Sequence, residues 1–177
     1  MKCLGFWGVA AISLAHACSA AEEDPLSAES LQRVARAQGD AVGQEFAGDF
    51  ILQGQRQDCD CPELDVVDGF DLCGVLGVEA SSLPAQASQH EGLIVVEISG
   101  TIALLGGVDD DGSFAAASIL DASVINVGGE ILSFFEGAFD DDGFTGELTN
   151  RFVGTIMGEA IDCRANSLLT AVRISGS

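Results

Sequence analysis

Apolar and polar positions follow two patterns along this chain. Between residues 26 and 47 apolar residues recur weakly at helical spacing, in Leu31, Val34, Ala35 and Ala37. Pro25 suits a first helical turn and Gly39 an end. The segment reads as a short helix or a flexible spacer. From residue 48 onward the pattern is of short runs bounded by turn residues. Gly48 to Arg56 reads as a first strand. Residues 57 to 91 read as an irregular, acidic, cysteine-bearing segment, with Pro84 and the Ser/Gln-rich run 81–90 marking a loop. After residue 92, β-branched and Phe-rich runs alternate with Gly and Asp clusters, the signature of strands in series.

An internal echo fixes the turns. Val108-Asp109-Asp110-Asp111-Gly112-Ser113-Phe114 recurs 31 residues later as Phe139-Asp140-Asp141-Asp142-Gly143-Phe144-Thr145. Asp-Gly between apolar runs is a hairpin signal, because glycine takes a positive φ without steric cost. The spacing predicts hairpins of 101–108 with 113–120 and of 131–139 with 144–152. A third, of 154–163 with 167–174, is expected to turn on Arg164-Ala165-Asn166. Alternation supports these strands. Phe144, Leu148 and Phe152 share a face with Gly146 and Asn150, and Thr145, Glu147, Thr149 and Arg151 take the other. With 48–56 and 92–99 the expectation is an all-β antiparallel meander of about eight strands, either a small barrel or a two-layer sandwich. The organisation is then residues 1–17, a tether and helix at 18–47, and one β domain at 48–177.

Composition narrows the function. The chain carries 28 acidic and 7 basic residues, a formal charge of −21. A polyanion repels phosphate backbones, which argues against nucleic-acid partners. The only tryptophan is Trp7 and there is no tyrosine, so only phenylalanine is left to stack on a sugar beyond residue 7. A hydrophobic content of 47% is too high for a disordered chain despite the charge.

The N-terminus reads as an export signal. Lys2 supplies a positive charge, Leu4 to Leu14 an apolar run too short to span a bilayer, and Ala15-His16-Ala17 a small-x-small cleavage pattern directly before Cys18. Residues 1–18 resemble a bacterial lipoprotein signal. The resemblance implies cleavage before Cys18, diacylglycerol on its thiol, and membrane attachment through that lipid. Ala15 and His16 depart from the family pattern, and ordinary cleavage after Ala17, giving a periplasmic or secreted protein, is the alternative. Ser19 does not resemble the aspartate that retains such lipoproteins in the inner membrane, so the resemblance implies the outer membrane.

Six cysteines are present, and Cys3 leaves with the signal. A lipidated Cys18 leaves Cys59, Cys61, Cys73 and Cys163, an even set suited to disulfides in an oxidising compartment. Cys59 and Cys61 are too close to pair comfortably with each other, so each is expected to reach one of Cys73 and Cys163. A zinc site built from the four is disfavoured by the Cys-x-Cys spacing and the missing second half-site.

The two Asp-Asp-Asp-Gly turns offer hard oxygen ligands, so Asp109, Asp111, Asp140 and Asp142 are candidates for weak Ca²⁺ binding. They fail the EF-hand test. With Gly112 sixth in the loop, positions one and twelve are Gly107 and Ser118; with Gly143 there, they are Ala138 and Thr149. The plainer reading is a solvated turn. A Ser-His-Asp site would have to use His90, the only histidine after His16, and no G-x-S-x-G elbow accompanies it. No P-loop, dinucleotide fingerprint or other cofactor motif is present, and no catalytic residue stands out. These features favour a non-enzymatic surface or interaction protein of the cell envelope. The alternative is a small-ligand barrel, whose interior would keep a cavity with a few polar groups. A hydrolase is the third class, and it needs His90 or an acid pair set against a nucleophile in a cleft.

Overall fold

The computed structural model describes residues 24–63, 71–100, 102–125 and 127–175. The export signal and Cys18 lie outside the described residues. Eight antiparallel strands close into a barrel in sequence order, with the last strand paired to the first. They are β1 Gly48–Cys59, β2 Ala80–His90, β3 Leu93–Ile98, β4 Ile102–Val108, β5 Ser113–Asp121, β6 Gly128–Phe139, β7 Gly143–Ile156 and β8 Glu159–Ser175. Two helices, α1 Ala28–Val34 and α2 Leu72–Leu76, sit outside the strand order, and a 3₁₀ turn Ala122–Ile125 links β5 to β6. Of the barrel and the sandwich, the barrel forms.

Both Asp-Asp-Asp-Gly segments are hairpin turns, joining β4 to β5 and β6 to β7. Gly112 takes φ +84°, where a side chain would be strained. The expected third hairpin is not formed. Arg164, Ala165 and Asn166 lie inside the single long strand β8, opposite Arg151, Asn150 and Thr149 of β7. The true turn is Met157-Gly158, both residues at positive φ, which is what a two-residue hairpin requires. A second correction restores the strand count. Residues 80–90, expected as a loop, form β2, paired to β1 and β3. Its inward positions are Ala85, Ala87 and Gln89, so the alternation is real but nearly without hydrophobic contrast. Pro84 lies just before the β2–β3 ladder begins at Ala85, and its carbonyl accepts from Ser99 N.

The inward rows fill the barrel. Phe50, Phe114, Phe135, Phe139 and Phe144 pack ring against ring, with centroids 5.0–6.1 Å apart, among Leu52, Val96, Leu104, Leu148 and Leu169. Burying each such ring stabilises by about 1.5–3 kcal/mol before entropy is counted. Outside the wall, α1 lays Leu31 and Val34 over Ala117, Leu132 and Phe134. Ser27 caps this helix, its Oγ accepting from Ser30 N at 3.2 Å. Residues 24–47, expected as tether and helix or spacer, therefore pack against the domain from Asp24 onward.

Candidate functional site

Three places concentrate polar chemistry: the two ends of the barrel and a patch on its flank.

At one end lie the turns 91–92, 109–112 and 140–142 together with a plug, residues 38–47. The plug places Ala41 and Phe46 in the core, and Phe46 stacks on Phe139 at 5.2 Å. Its backbone is held by Gly39 N donating to Gly92 O at 3.0 Å and Ala41 N to Val108 O at 3.2 Å. Gly39 is required there, because a Cβ would run into the Val108 carbonyl oxygen. Phe46 N donates to Oε1 of Gln89, a side chain 4% exposed. Arg173 lies over the Phe50 ring and donates to Ala47 O at 2.6 Å.

One aspartate turn holds this plug, and the remaining aspartate bonds brace the turns themselves. Asp109 Oδ1 accepts from Asp40 N at 3.2 Å, and Asp40 Oδ1 accepts from Asp110 N at 2.8 Å, a reciprocal pair. Asp111 Oδ1 accepts from Ser113 Oγ at 2.6 Å and Ser113 N at 2.9 Å, and these bonds hold its carboxyl below the usual range. Asp140 Oδ1 accepts from Asp142 N and Gly143 N at 2.9 and 2.7 Å. Asp142 lends its backbone oxygen to Arg173 N at 2.7 Å. Of the four Ca²⁺ candidates, Asp109, Asp111 and Asp140 thus accept from backbone N–H groups. Among the described residues, the ligand clusters that converge are both centred on cysteine and include none of the four.

At the opposite end, residues 60–63 and 71–79 form a cap. Cys59 is paired with Cys73 and Cys61 with Cys163 at disulfide distance, with Cα separations of 5.8 and 4.8 Å. This resolves the open connectivity, and it leaves no free thiol among the four for a metal in the oxidised protein. Leu72 and Leu76 of α2 drop onto Phe152, Ile156 and Ile161. Asn150, the polar residue on the apolar face of β7, donates from Nδ2 to Leu76 O at 2.6 Å and so satisfies the end of α2. Ser167, fully buried, accepts from Val78 N at 2.9 Å. These two residues carry no motif. Their signal was a polar residue at an inward strand position, which requires a buried partner.

On the flank, Arg151 and Arg164 stand directly opposite each other on β7 and β8. Asp162 accepts from Arg151 Nε and Nη2, both at 2.6 Å, and this bond keeps its carboxyl below the usual range. Asp24 Oδ2 bridges the two arginines at 2.8 and 3.1 Å. The bridge offsets the like-charge pair and fixes the start of the described chain to the wall.

His90 is exposed at the end of β2, opposite Leu93, and among the described residues its imidazole has no hydrogen-bond partner. The contacts of a Ser-His-Asp arrangement are not assembled around it. Three hollows of about 240 to 370 Å³ open onto the outer surface, beside Gly39 and Gly107, beside Gln44 and Gln86, and beside Pro84 and Ile174. The inward rows are mainly apolar, with Gln89, Ser133, Asn150 and Ser167 as buried polar exceptions, and the outward rows of β7 and β8 mix Glu147, Arg151, Asp162 and Arg164 with exposed Val153, Leu168, Val172 and Ile174. A barrel that crosses a bilayer has the reverse arrangement, apolar outside and polar within.

No family model, curated protein or solved structure matches the chain.

Proposed function

We propose that this chain is an exported cell-envelope protein, anchored to the outer membrane by a lipid on Cys18, that presents a rigid acidic barrel as a non-catalytic interaction module. The observation that carries the reading is the filled interior. Phe and Leu side chains occupy the inward rows, and both ends are capped. The same packing weighs against the small-ligand alternative, because an apolar guest would have to displace close-packed rings. The interior filled with apolar rings favours a domain held beside the membrane, not one that crosses it. Asp24, six residues after Cys18, is clasped to β7 and β8, so the lipid and the wall are separated by about 20 Å of chain at most.

Intact-mass spectrometry of protein extracted from membranes tests the anchor. The expected mass lacks residues 1–17, carries acyl chains, and gains four hydrogens on reduction of two disulfides. An unacylated N-terminus and recovery in the soluble fraction would overturn it. A second measurement tests the module. Titration with an apolar dye or a fatty acid is expected to give no saturable one-to-one uptake, and such uptake would favour the ligand barrel instead.

A further inference from the structure

The two disulfides are neighbours as well as staples. The Sγ atoms of Cys59, Cys61 and Cys73 all lie within 4.8 Å of one another. Cys61 belongs to the second disulfide, so one sulfur of each bond faces the other bond. The three are partly buried, whereas Cys163 is 1% exposed, in the apolar cluster with Phe152 and Ile161. A carboxylate oxygen of Asp60 lies within 4.8 Å of the Cys61 and Cys163 sulfurs.

We propose that the two disulfides form one exchange unit, in which reduction of either bond is relayed to the other and ends as a Cys61–Cys73 disulfide with Cys59 and Cys163 as free thiols. An external dithiol first reduces Cys59–Cys73. The dithiol is oxidised to its own disulfide, and Cys59 and Cys73 each take one electron and one proton. The Cys73 thiolate then attacks Cys61 Sγ. The Cys61–Cys73 bond forms, the Cys61–Cys163 bond breaks, and the electron pair leaves on Cys163, which takes up a proton. This second step involves no net oxidation or reduction. If the dithiol opens Cys61–Cys163 first, the Cys61 thiolate attacks Cys73 and Cys59 departs, giving the same product. Attack at Cys59 is disfavoured because a bond between Cys59 and Cys61 would close across a single residue.

The consequence is mechanical. The covalent link from the cap to β8 is lost. The cap is then held by Asp60 against the Arg164 backbone, by Asn150 Nδ2 on Leu76 O, by Val78 N on Ser167, and by the burial of Leu72 and Leu76. A half-buried local crosslink thus becomes a trigger for releasing the cap over Phe152 and Ile156.

The test starts from the oxidised, folded full chain, so no variant has to fold. One equivalent of dithiothreitol is added, thiols are trapped with N-ethylmaleimide at increasing times, and the peptides are mapped. The expected result is a growing species with Cys61–Cys73 bonded and Cys59 and Cys163 alkylated. Its formation is independent of protein concentration and rises about tenfold per pH unit below the attacking thiol's pKa. Asp60→Asn should speed the step, because removing the carboxylate eases departure of the Cys163 thiolate. Alkylation confined at every time and pH to the pairs Cys59 with Cys73, or Cys61 with Cys163, overturns the proposal. In Cys163→Ser, without reductant, the free thiol should divide between Cys61 and Cys59, and a thiol that stays on Cys61 alone also overturns it.

Discussion

Where β1 ends and β8 begins, the barrel is closed by a cap that carries two crosslinks; where β1 begins and β8 ends, it is closed by a plug that carries none. Among the described residues the cap comprises 60–63 and 71–79 and puts two leucines, Leu72 and Leu76, into the core. The plug spans residues 38–47 and puts in Ala41 and Phe46. The cap is a long excursion between two paired strands, and ordering it costs entropy that rises with its length. Disulfides offset this cost by restricting the unfolded chain. The plug joins α1 to β1 and lies directly over the hairpin turns, whose carbonyls and carboxylates meet its N–H groups. Crosslinks thus hold the long excursion between β1 and β2, and hydrogen bonds to the turns hold the plug that lies directly over them. At the plug, Asp40 and Asp109 accept from backbone N–H groups across the contact, which offsets part of the carboxylate charge there.

The largest expected effect is at the cap. Replacing both Cys61 and Cys163 by alanine removes a crosslink across 102 residues. The chain-entropy account gives a loss of about 4–5 kcal/mol, measured by guanidinium denaturation. Removing Cys59–Cys73, across 14 residues, should lose about 3 kcal/mol in the same assay. Equal losses would mean that loop length does not govern what each bond contributes, strain or residual structure in the unfolded chain having cancelled the difference.

Next comes Phe46→Ala at the plug. It deletes the ring stacked on Phe139 and should destabilise by about 3 kcal/mol. Hydrogen exchange should quicken at Gly39 and Ala41 while the amides of α2 stay protected. If both ends lose protection together, they are one cooperative unit and the comparison fails.

The smallest effect belongs to the flank. The carboxyl of Asp162 is lowered in the folded state, chiefly by its hydrogen bonds from Arg151. Its contribution is therefore present above the unfolded carboxyl pKa, near about 3.9, and is lost as pH falls through the folded value. The group is half exposed, so the pair is worth at most about 1 kcal/mol. Asp162→Asn should lower stability at pH 7 by that amount and make no difference at about pH 2. An equal loss at both pH values would show that packing, not charge, is what Asp162 provides.

Much of the wall was legible because hairpins are local. Asp-Gly turns, flanking apolar runs and period-two alternation placed β4 to β7 within a few residues of where they lie. The expected number of strands was reached through two compensating errors. β2 was missed because Ala85, Ala87 and Gln89 give its inward row almost no hydrophobic contrast. β8 was split because Arg164-Ala165-Asn166 looks like a turn when its pairing is unseen, and Met157-Gly158 has weaker turn residues than Asp-Gly. Both strands belong to the part of the wall that closes the barrel, and closure pairs β1 with β8, residues more than 100 positions apart.

By itself the sequence determined the class of fold, the two aspartate turns, the four cysteines that would crosslink, and the export-signal pattern at residues 1–18. Each is carried by neighbouring residues whose meaning depends on local geometry or on a count. Only the tertiary structure decided barrel over sandwich, the pairing of Cys61 with Cys163, the partners of Asn150 and Ser167, and the part of Asp40 and Asp109 in fastening a plug. These depend on which distant segments meet when the last strand pairs with the first, and no local pattern in the chain records that.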